Sequence, residues 1–327
     1  PDHVGFLSEH GVWLFRNVLA TDGKIITSDE DSVFWIGNTG FKPTPLSISG
    51  EGQTALPELR IETPEEAKIL LGFIVQKLKE NIGNHGSSLA LGWVKALIYN
   101  KEIFSRFKFF PFLFLYGKFQ CGKNTLARLL LSFFGLGDTD GENISESSQT
   151  GISRKLAYYS SMLVWLDEYR NEQRIIKLNS YLRNVYNRMG AVKGIKSEFG
   201  TRNVPIRGAL LLSGEQLPSD PGLRSRCIPI MLRRDQRKDS VLQEITAVSY
   251  RLSAITSLWI QEKTPAKAET LLQNIESIKS KLQIDHKFDA RLAENYAVAI
   301  AGFHSIAQGE EFNGFYEWAV SAAKCDQ

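Results

Sequence analysis

The chain has 327 residues, of which 43% are hydrophobic and 23% are charged, as is ordinary for a globular protein of one large domain or two. The formal net charge is only +3, so affinity for nucleic acid would have to come from a local basic patch. The longest apolar runs are far too short to span a membrane.

The three cysteines are odd in number, far apart in the sequence and without metal-ligand spacing. This usage favours a reducing compartment, and we expect a cytoplasmic protein. The chain begins at Pro1 rather than at a methionine, and we expect a fragment of a longer protein.

Residues 1–57 are predicted to form a small β-rich region. Short strand-like runs at 12–15, 24–27 and 32–36 are separated by Asp-Gly and Gly-Asn turn signals. The region carries no catalytic set of residues. It is either an accessory packing domain or a module that contacts DNA.

Residues 58–108 are predicted to form a helical collar. Thr63 and Pro64 with two following glutamates are a strong helix start, since they combine an N-cap, a first-turn proline and acids at the positive end of the helix dipole. The glycines on either side of His85 predict a break in the helix, with His85 in a turn. A second helix is expected from about residue 87 to 99.

The most informative stretch is residues 109–125, which read FFPFLFLYGKFQCGKNT. An apolar run at 112–116 is typical of a buried parallel strand, and it ends in a loop with the pattern G-x-x-x-x-G-K. The leucines that follow predict a helix that begins inside the loop. Glycines let backbone N–H groups surround a phosphate, and the helix N-terminus adds partial positive charge. The residues predicted to bind a nucleotide here are Gly117, Lys118, Phe119, Gln120, Cys121, Gly122, Lys123, Asn124 and Thr125.

One position of this loop departs from the usual pattern, in which Ser or Thr follows the lysine. Asn124 stands there, and Thr125 comes next. Lys123 is predicted to contact the β- and γ-phosphates of ATP. Mg²⁺ would then be held by the Asn124 amide oxygen, by the Thr125 hydroxyl or through water. The alternative is a glycine-containing turn with no ligand, which the order of strand, loop and helix disfavours.

A second buried strand at 161–166 ends in Asp167 and Glu168. Strand ends are often acidic, but this pair follows Lys123 with one helix between them, as in an ATPase site. Asp167 would hold the Mg²⁺ shell, and Glu168 would polarise the attacking water.

Residues 174–207 carry eight cationic side chains against one acid, Glu198, with aromatic residues interleaved. A helix to about residue 189 is followed by a predicted β-hairpin at 190–205. Lys193 and Lys196 of the hairpin are predicted to bind the backbone of single-stranded DNA. The alternative is a solvated basic face.

A third core strand is predicted at 206–213. The polar residues at its end, Ser213 and Glu215, are candidates to contact the γ-phosphate or the attacking water. A last core strand at 228–232 follows two arginines. An arginine in that place can be presented to the γ-phosphate of a neighbouring subunit; Arg226 is the first candidate and Arg224 the second.

Residues 239–327 are predicted to form a helical lid, with helices at about 240–262, 266–282, 288–307 and 311–323. Arg291 in this region is a candidate to reach back to the nucleotide. A packing or surface role is the alternative for this arginine.

The order of phosphate loop, Asp-Glu strand, basic hairpin, polar strand end and Arg-Ser-Arg-Cys segment resembles an AAA+ ATPase. More narrowly, residues 112–232 resemble the superfamily 3 helicase cores of viral, phage, plasmid and mobile-element replication proteins, including the primase–helicase type. The resemblance implies an α/β fold, with a P-loop ATPase core at 109–238 whose parallel sheet is flanked by helices. It also implies a hexameric ring with ATP and Mg²⁺ between subunits and hairpin lysines around single-stranded DNA. The chain departs from the family pattern at Asn124 and at Glu215, where Asn is usual.

We therefore predict an ATP-dependent DNA helicase or translocase that acts in replication of a mobile element, phage or plasmid. Two other hypotheses stay open. An AAA+ initiator or loader would use the same hydrolysis residues without processive unwinding. A small-molecule P-loop kinase tolerates a residue other than Ser or Thr after the lysine, but the basic hairpin has no evident role in one.

Overall fold

The computed structural model describes residues 1–21, 23–46, 55–194, 201–307 and Trp318. The strands are β1 (Val4–Leu7), β2 (Val12–Leu14), β3 (Leu19–Thr21), β4 (Lys24–Ile26), β5 (Phe34–Ile36), β6 (Thr39–Phe41), β7 (Phe112–Tyr116), β8 (Glu142–Asn143), β9 (Tyr159–Ser160), β10 (Leu163–Tyr169), β11 (Ala191–Gly194), β12 (Thr201–Val204), β13 (Ala209–Gly214) and β14 (Cys227–Met231). The helices are α1 (Pro64–Ile82), α2 (Asn84–Leu97), α3 (Asn100–Phe107), α4 (Lys123–Ser132), α5 (Gln149–Tyr158), α6 (Gln173–Tyr186), α7 (Pro221–Arg224), α8 (Asp239–Val248), α9 (Ser253–Gln261), α10 (Pro265–Ile284) and α11 (Ala290–His304), with a 3₁₀-helix at Ser249–Arg251.

Five parallel strands form the core sheet, in the order β14-β7-β13-β10-β8. The strands are near-continuous apolar runs, because a parallel sheet with helices on its faces is buried on both sides. Leu113 of β7 pairs with Leu211 on one side and with Ile228 on the other. The predicted α/β fold with a parallel sheet flanked by helices is confirmed, and so is the strand at 112–116.

The chain leaves β7 for β8 at one edge of this sheet, and it returns to the other side of β7 with β14. The strand order therefore changes direction next to β7. In open α/β sheets, ligands bind in the crevice that forms at such a point, outside the carboxyl ends of the strands.

The N-terminal strands form a second sheet, in the order β4-β3-β2-β1-β9. β1 to β4 are antiparallel to one another, whereas β9 belongs to the middle of the chain and pairs in parallel with β1. Ser160 of β9 donates a hydrogen bond from Oγ to the carbonyl oxygen of Phe6 over 2.7 Å. The N-terminal strands are thereby attached to the segment that leads into β10.

The helices before β7 and those after β14 pack together. α2 and α11 approach so closely that a Cβ atom on Gly92 would lie 1.9 Å from the carbonyl oxygen of Ala299, and one on Gly302 would lie 2.1 Å from that of Gly92. Only glycine fits such a backbone contact. The regions predicted as collar and lid thus share one helical layer.

α1 begins as predicted, with Thr63 as N-cap and Pro64 in the first turn. The structure adds a capping box, in which the Thr63 hydroxyl accepts from the Glu66 amide and the Glu66 carboxylate accepts from the Thr63 amide. The prediction for His85 is wrong. α2 already begins at Asn84, because Gly83 alone, with φ of 80°, makes the break. The His85 ring lies in the first turn of α2, 5.5 Å from the Trp318 ring. The two-residue strand β8 lies between α4 and α5, and its two residues are both polar.

None of the helices in the described ranges is long and apolar enough to cross a membrane. The helix predicted at 311–323 lies outside the described residues, apart from Trp318.

Candidate functional site

The carboxyl ends of β7, β13 and β14 lie side by side. Tyr116 pairs with Gly214 on one side and with Met231 on the other. The Gly117 amide donates to the Gly214 carbonyl over 3.3 Å, and the Leu232 amide donates to the Tyr116 carbonyl over 2.8 Å. The loop after β7 and the segments after β13 and β14 therefore leave the sheet at one edge.

The predicted phosphate loop runs from this edge into α4. Gly122 is the N-cap of α4, with φ of 96°, and none of the described side chains caps the helix there. The first N–H groups of α4 therefore point into the loop without a side-chain acceptor, an arrangement that suits an anion. Lys123 donates from Nζ to the carbonyl oxygens of Gly117 over 2.7 Å and of Lys118 over 3.2 Å. The lysine charge is thus centred over the loop, where a phosphate would compete with these carbonyls.

The remaining loop residues differ in exposure. Lys118, Phe119 and Gln120 are exposed, and the Phe119 ring is 75% exposed. Cys121 is buried beneath the loop, with its Sγ 3.7 Å from Lys123 Nζ. The tip of the loop therefore presents an aromatic ring to solvent beside the lysine.

Asp167 is held by donors on both carboxylate oxygens. Oδ1 accepts from Ser213 Oγ over 2.5 Å and from the Glu168 amide over 2.8 Å. Oδ2 accepts from Asn124 Nδ2 over 3.1 Å. Trp165 donates from Nε1 to Ser213 Oγ over 2.6 Å, so the serine hydroxyl is itself oriented. Ser213 is fully buried, and a satisfied buried network of this kind fixes the carboxylate in place.

Glu168 has a backbone conformation unusual for its residue type. Its φ is 60°, and the pairing of β10 with β13 is irregular between Leu166 and Tyr169. This irregularity turns the Glu168 side chain out of the strand, where it accepts from Arg170 Nη2 over 2.8 Å. A left-handed conformation in a non-glycine residue costs on the order of 1 kcal/mol or more, and such residues cluster at functional sites.

The oxygen donors at this edge of the sheet fit Mg²⁺ as the metal ion. No group of three or more His, Cys, Asp or Glu residues within the described ranges is placed to hold an ion by itself. Mg²⁺ is usually held by one or two carboxylates together with substrate phosphates and water. A single carboxylate, Asp167, fixed beside the phosphate loop, fits that manner of binding. Asn124 rather than Thr125 contacts Asp167, and Thr125 lines a cavity on the other side of the loop.

That cavity has a volume of about 910 Å³. Its walls come from the loop helix, from α1, from α8 and from the segment before α1, and include Thr125, Leu126, Ile82 and Ile245. At its mouth the Arg60 guanidinium lies 5.0 Å from the centre of the Tyr250 ring. The sequence carries no local signal for this wall, because Arg60 and Tyr250 belong to no motif and meet only through the fold.

A cleft of about 800 Å³ adjoins the loop and is lined by Gly117, Lys118, Glu215 and Arg224. The structure thus brings the predicted residues Glu215 and Arg224 to the phosphate loop of their own chain. Glu215 is exposed there.

Arg226 and Arg291 lie elsewhere. Arg226 precedes Cys227, which pairs with Phe112 at the amino end of β7, about 13 Å along the strand from Tyr116. Its guanidinium donates to the Gly222 carbonyl over 2.5 Å. Burial, followed by the nearby Arg291 charge, lowers the pKa of Arg226. Arg291 donates from Nη1 to Ser225 Oγ over 3.1 Å, so it contacts the arginine segment rather than the phosphate loop.

The predicted basic hairpin is present as the antiparallel pair β11 and β12, with Lys193 opposite Arg202. Lys196 lies outside the described residues.

No protein-family model and no curated protein matches this sequence. Among solved structures, the "SCCmec type IV Cch - active helicase" is 11% identical with a TM-score of 0.56, and the match covers 94% of this chain and 58% of that chain. The JCV Helicase, in a structure with a bound phenoxyphenyl acetamide compound, is 15% identical, with a TM-score of 0.33 and coverage of 66% of this chain and 74% of that chain. The NrS-1 C terminal region is 14% identical, with a TM-score of 0.33 and coverage of 90% and 84%. The chain shares its fold with the SCCmec helicase and spans 58% of the length of that protein.

Proposed function

We propose that this chain is the ATPase core of a DNA helicase or translocase that acts in replication of a mobile element, phage or plasmid. The observation that carries the proposal is the Asp167 carboxylate, fixed by Ser213 and by Asn124 beside the phosphate loop. A rigid carboxylate next to a loop lysine and a helix N-terminus is the arrangement that phosphoryl transfer requires. The fold shared with a solved helicase supports the same conclusion.

Each residue of the site has a role in this proposal. Lys123 exchanges the loop carbonyls of Gly117 and Lys118 for phosphate oxygens. Asp167 would hold Mg²⁺ through its water shell, and the ion would supply positive charge against the phosphates. Glu168 leaves Arg170 and orients the attacking water. Glu215, which lines the adjoining cleft, would contact the γ-phosphate or the attacking water.

The cavity beside Thr125 is the proposed site of the adenosine part of ATP. Its volume lies within the range of roughly 300–1,000 Å³ that is usual for small-molecule sites. Its walls combine aliphatic and polar side chains, and Arg60 and Tyr250 stand at the mouth. The loop residues connect this cavity to the phosphate-binding region.

The position of Arg226 supports the proposed ring. This arginine lies at the amino end of the sheet, whereas the phosphate loop of the same chain lies at the carboxyl end. It can therefore serve as a catalytic arginine only for the nucleotide of a neighbouring subunit. We propose a hexameric ring with ATP at the subunit interfaces, in which Lys193 and Lys196 bind single-stranded DNA.

Two measurements test the function. Lys123→Ala should abolish binding of a fluorescent ATP analogue, whereas Lys118→Ala, a change of an exposed lysine in the same loop, should have a small effect. The unmodified chain should separate a forked DNA duplex only with ATP and Mg²⁺. Hydrolysis of ATP without strand separation would instead indicate an initiator or loader, and equal nucleotide binding by the two alanine variants would contradict the proposed site.

A further inference from the structure

Tyr186 is the last residue of α6, and the hairpin strand β11 begins five residues later. Tyr186 is 4% exposed, and its ring packs between two phenylalanines at the start of β7 and just before it. The Phe109 ring stacks on it with centroids 5.1 Å apart, and the Phe112 ring meets it edge-on at 5.8 Å. A tyrosine in such a place needs a hydrogen-bond partner for its hydroxyl.

The partner is Asn295, a fully buried residue of α11. Tyr186 donates from its hydroxyl to Asn295 Oδ1 over 2.7 Å, and Asn295 donates from Nδ2 to the Ser225 carbonyl over 2.9 Å. Burial raises the pKa of Tyr186, so its hydroxyl keeps its proton and stays a donor. A continuous buried connection thus joins the end of α6 to the arginine segment, residues 224–226.

Arg226 makes a second contact between the same two places. Its guanidinium lies 5.4 Å from the centre of the Tyr186 ring. A cation over an aromatic ring is attracted by the electron-rich face of the ring. To reach a phosphate on a neighbouring subunit, this guanidinium has to leave the ring. Arg226 therefore has two competing partners, the Tyr186 ring and the neighbouring nucleotide.

Both ends of the hairpin segment are attached to one buried residue of the collar, Asn100. Arg188 donates from Nη2 to Asn100 Oδ1, and Asn100 donates from Nδ2 to the Arg207 carbonyl over 3.3 Å. The Arg188 guanidinium also lies 4.2 Å from the centre of the Phe104 ring. Arg188 follows Tyr186 by two residues, so a shift of Tyr186 is passed directly to this attachment.

We propose that Tyr186 is a positioning residue that couples the arginine segment to the hairpin. The inference rests on the proposed function, since it requires ATP between subunits and DNA at the hairpin. When Arg226 leaves the Tyr186 ring for a neighbouring nucleotide, the arginine segment shifts. The hydrogen bonds from the Ser225 carbonyl through Asn295 to the Tyr186 hydroxyl pass this shift to the end of α6, and the hairpin changes its affinity for DNA. Such coupling is reciprocal, because a nucleotide that alters DNA affinity has its own affinity altered by DNA by the same factor.

The test is the ratio of DNA affinities in two nucleotide states. Binding of a fluorescent single-stranded oligonucleotide is measured by anisotropy with the full chain, in ADP and in a non-hydrolysable ATP analogue. The unmodified chain should show a ratio of about 5 or more. Tyr186→Phe, which removes one hydroxyl, should bring the ratio close to 1.

The matched control is Tyr181→Phe in the same helix. Tyr181 is also buried, and its hydroxyl lies 2.7 Å from Ser153 Oγ, away from the arginine segment. This variant should keep the ratio of the unmodified chain. A Tyr186→Phe chain with an unchanged ratio would overturn the inference, and so would an equal loss in both variants.

A double variant provides a second test in case Tyr186→Phe alone impairs folding. Tyr186→Phe with Asn295→Leu removes both partners of the central hydrogen bond, which is less disruptive than leaving one of them unpaired. It should also abolish the nucleotide effect on DNA binding, and a preserved effect would overturn the inference. An unmodified chain that binds no DNA would contradict the proposed function itself, and that failure is recognised before any variant is made.

Discussion

Asn124 donates a hydrogen bond from its side-chain nitrogen to Oδ2 of Asp167 over 3.1 Å, across the carboxyl edge of the core sheet. The residue after the loop lysine thereby contacts the acid at the end of another strand, although it is neither Ser nor Thr. A serine hydroxyl could donate the same hydrogen bond, and an apolar side chain of similar size could not. The contact explains how the loop keeps its geometry with an unusual residue at this position.

Replacement of Asn124 should distinguish a side chain that can donate a hydrogen bond to Asp167 from an apolar side chain that cannot. Asn124→Ser should keep ATP hydrolysis within about tenfold of the unmodified rate, whereas Asn124→Leu should lower it by about 10–100-fold, as is usual when support for a metal site is lost. Titration of hydrolysis with Mg²⁺ checks this, because the leucine variant should need more of the ion. Equal Mg²⁺ dependence in both variants would show that Asn124 does not act through the Asp167 side of the site.

Glu168→Gln should leave ATP binding intact and stop turnover, because the amide keeps the shape of the side chain but cannot accept a proton from water. The measurement is single-turnover hydrolysis beside equilibrium binding of a fluorescent ATP analogue. Glu172→Gln is the control, since Glu172 is another exposed acid close to Arg170, with oxygen and nitrogen 3.8 Å apart. Retained turnover in Glu168→Gln would remove Glu168 from the catalytic residues.

Ser213→Ala should lower the hydrolysis rate by about 10–100-fold, because Asp167 loses one of its donors. It should also lower the free energy of unfolding by about 1–3 kcal/mol, since the buried Trp165 N–H loses its acceptor. Ser153→Ala deletes another buried hydroxyl, which lies against Tyr181. If Ser213→Ala and Ser153→Ala lowered the free energy of unfolding and the hydrolysis rate equally, the slower hydrolysis would result from the loss of stability alone.

Lys95 should make stability depend on pH. Burial lowers the pKa of Lys95 from 10.5 to about 7, opposed by Glu262 and assisted by Lys267, and its ammonium lies 4.7 Å from the Trp259 ring centre. Between these two pKa values the unfolded chain binds the proton and the folded chain does not. Stability contributed by this group therefore rises with pH in that window, by at most about 1.4 kcal/mol per pH unit, and is lowest below pH 7.

Lys95→Met should remove this dependence and stabilise the protein most at neutral pH. Urea unfolding at pH 7 and pH 9 measures the difference. Lys24→Met, at an exposed position of β4, should change neither the stability nor its pH dependence by a comparable amount. A Lys95→Met chain with the same slope as the unmodified chain would show that Lys95 keeps its proton in the folded state.

The sequence predicted those parts of the molecule whose signals are local. The apolar run of β7, the glycines of the loop and the N-cap with its following proline at Thr63 each specify their structure within a few residues. Asp167 also follows from its strand, because an apolar run that ends in acids indicates a strand end wherever it lies.

The relationships that the sequence did not predict depend on pairing between distant segments. Arg226 lies at the other end of the sheet from the phosphate loop of its own chain. This position follows from the register of β14 on β7. Asn295 lies in an apolar helix with no motif around it, and only packing brings it to Tyr186. The strand β8 has two residues and no apolar pattern, so its pairing with β10 gives no sequence signal.

The measurement that tests the account most directly is ATP hydrolysis with and without single-stranded DNA, at about 50 and 200 mM salt. The account predicts that DNA stimulates hydrolysis, that salt weakens the stimulation, and that Lys193→Ala loses the stimulation while it keeps the basal rate. Basal hydrolysis that is indifferent to DNA at both salt concentrations, in a chain shown to be assembled into a ring, would contradict a DNA-coupled motor.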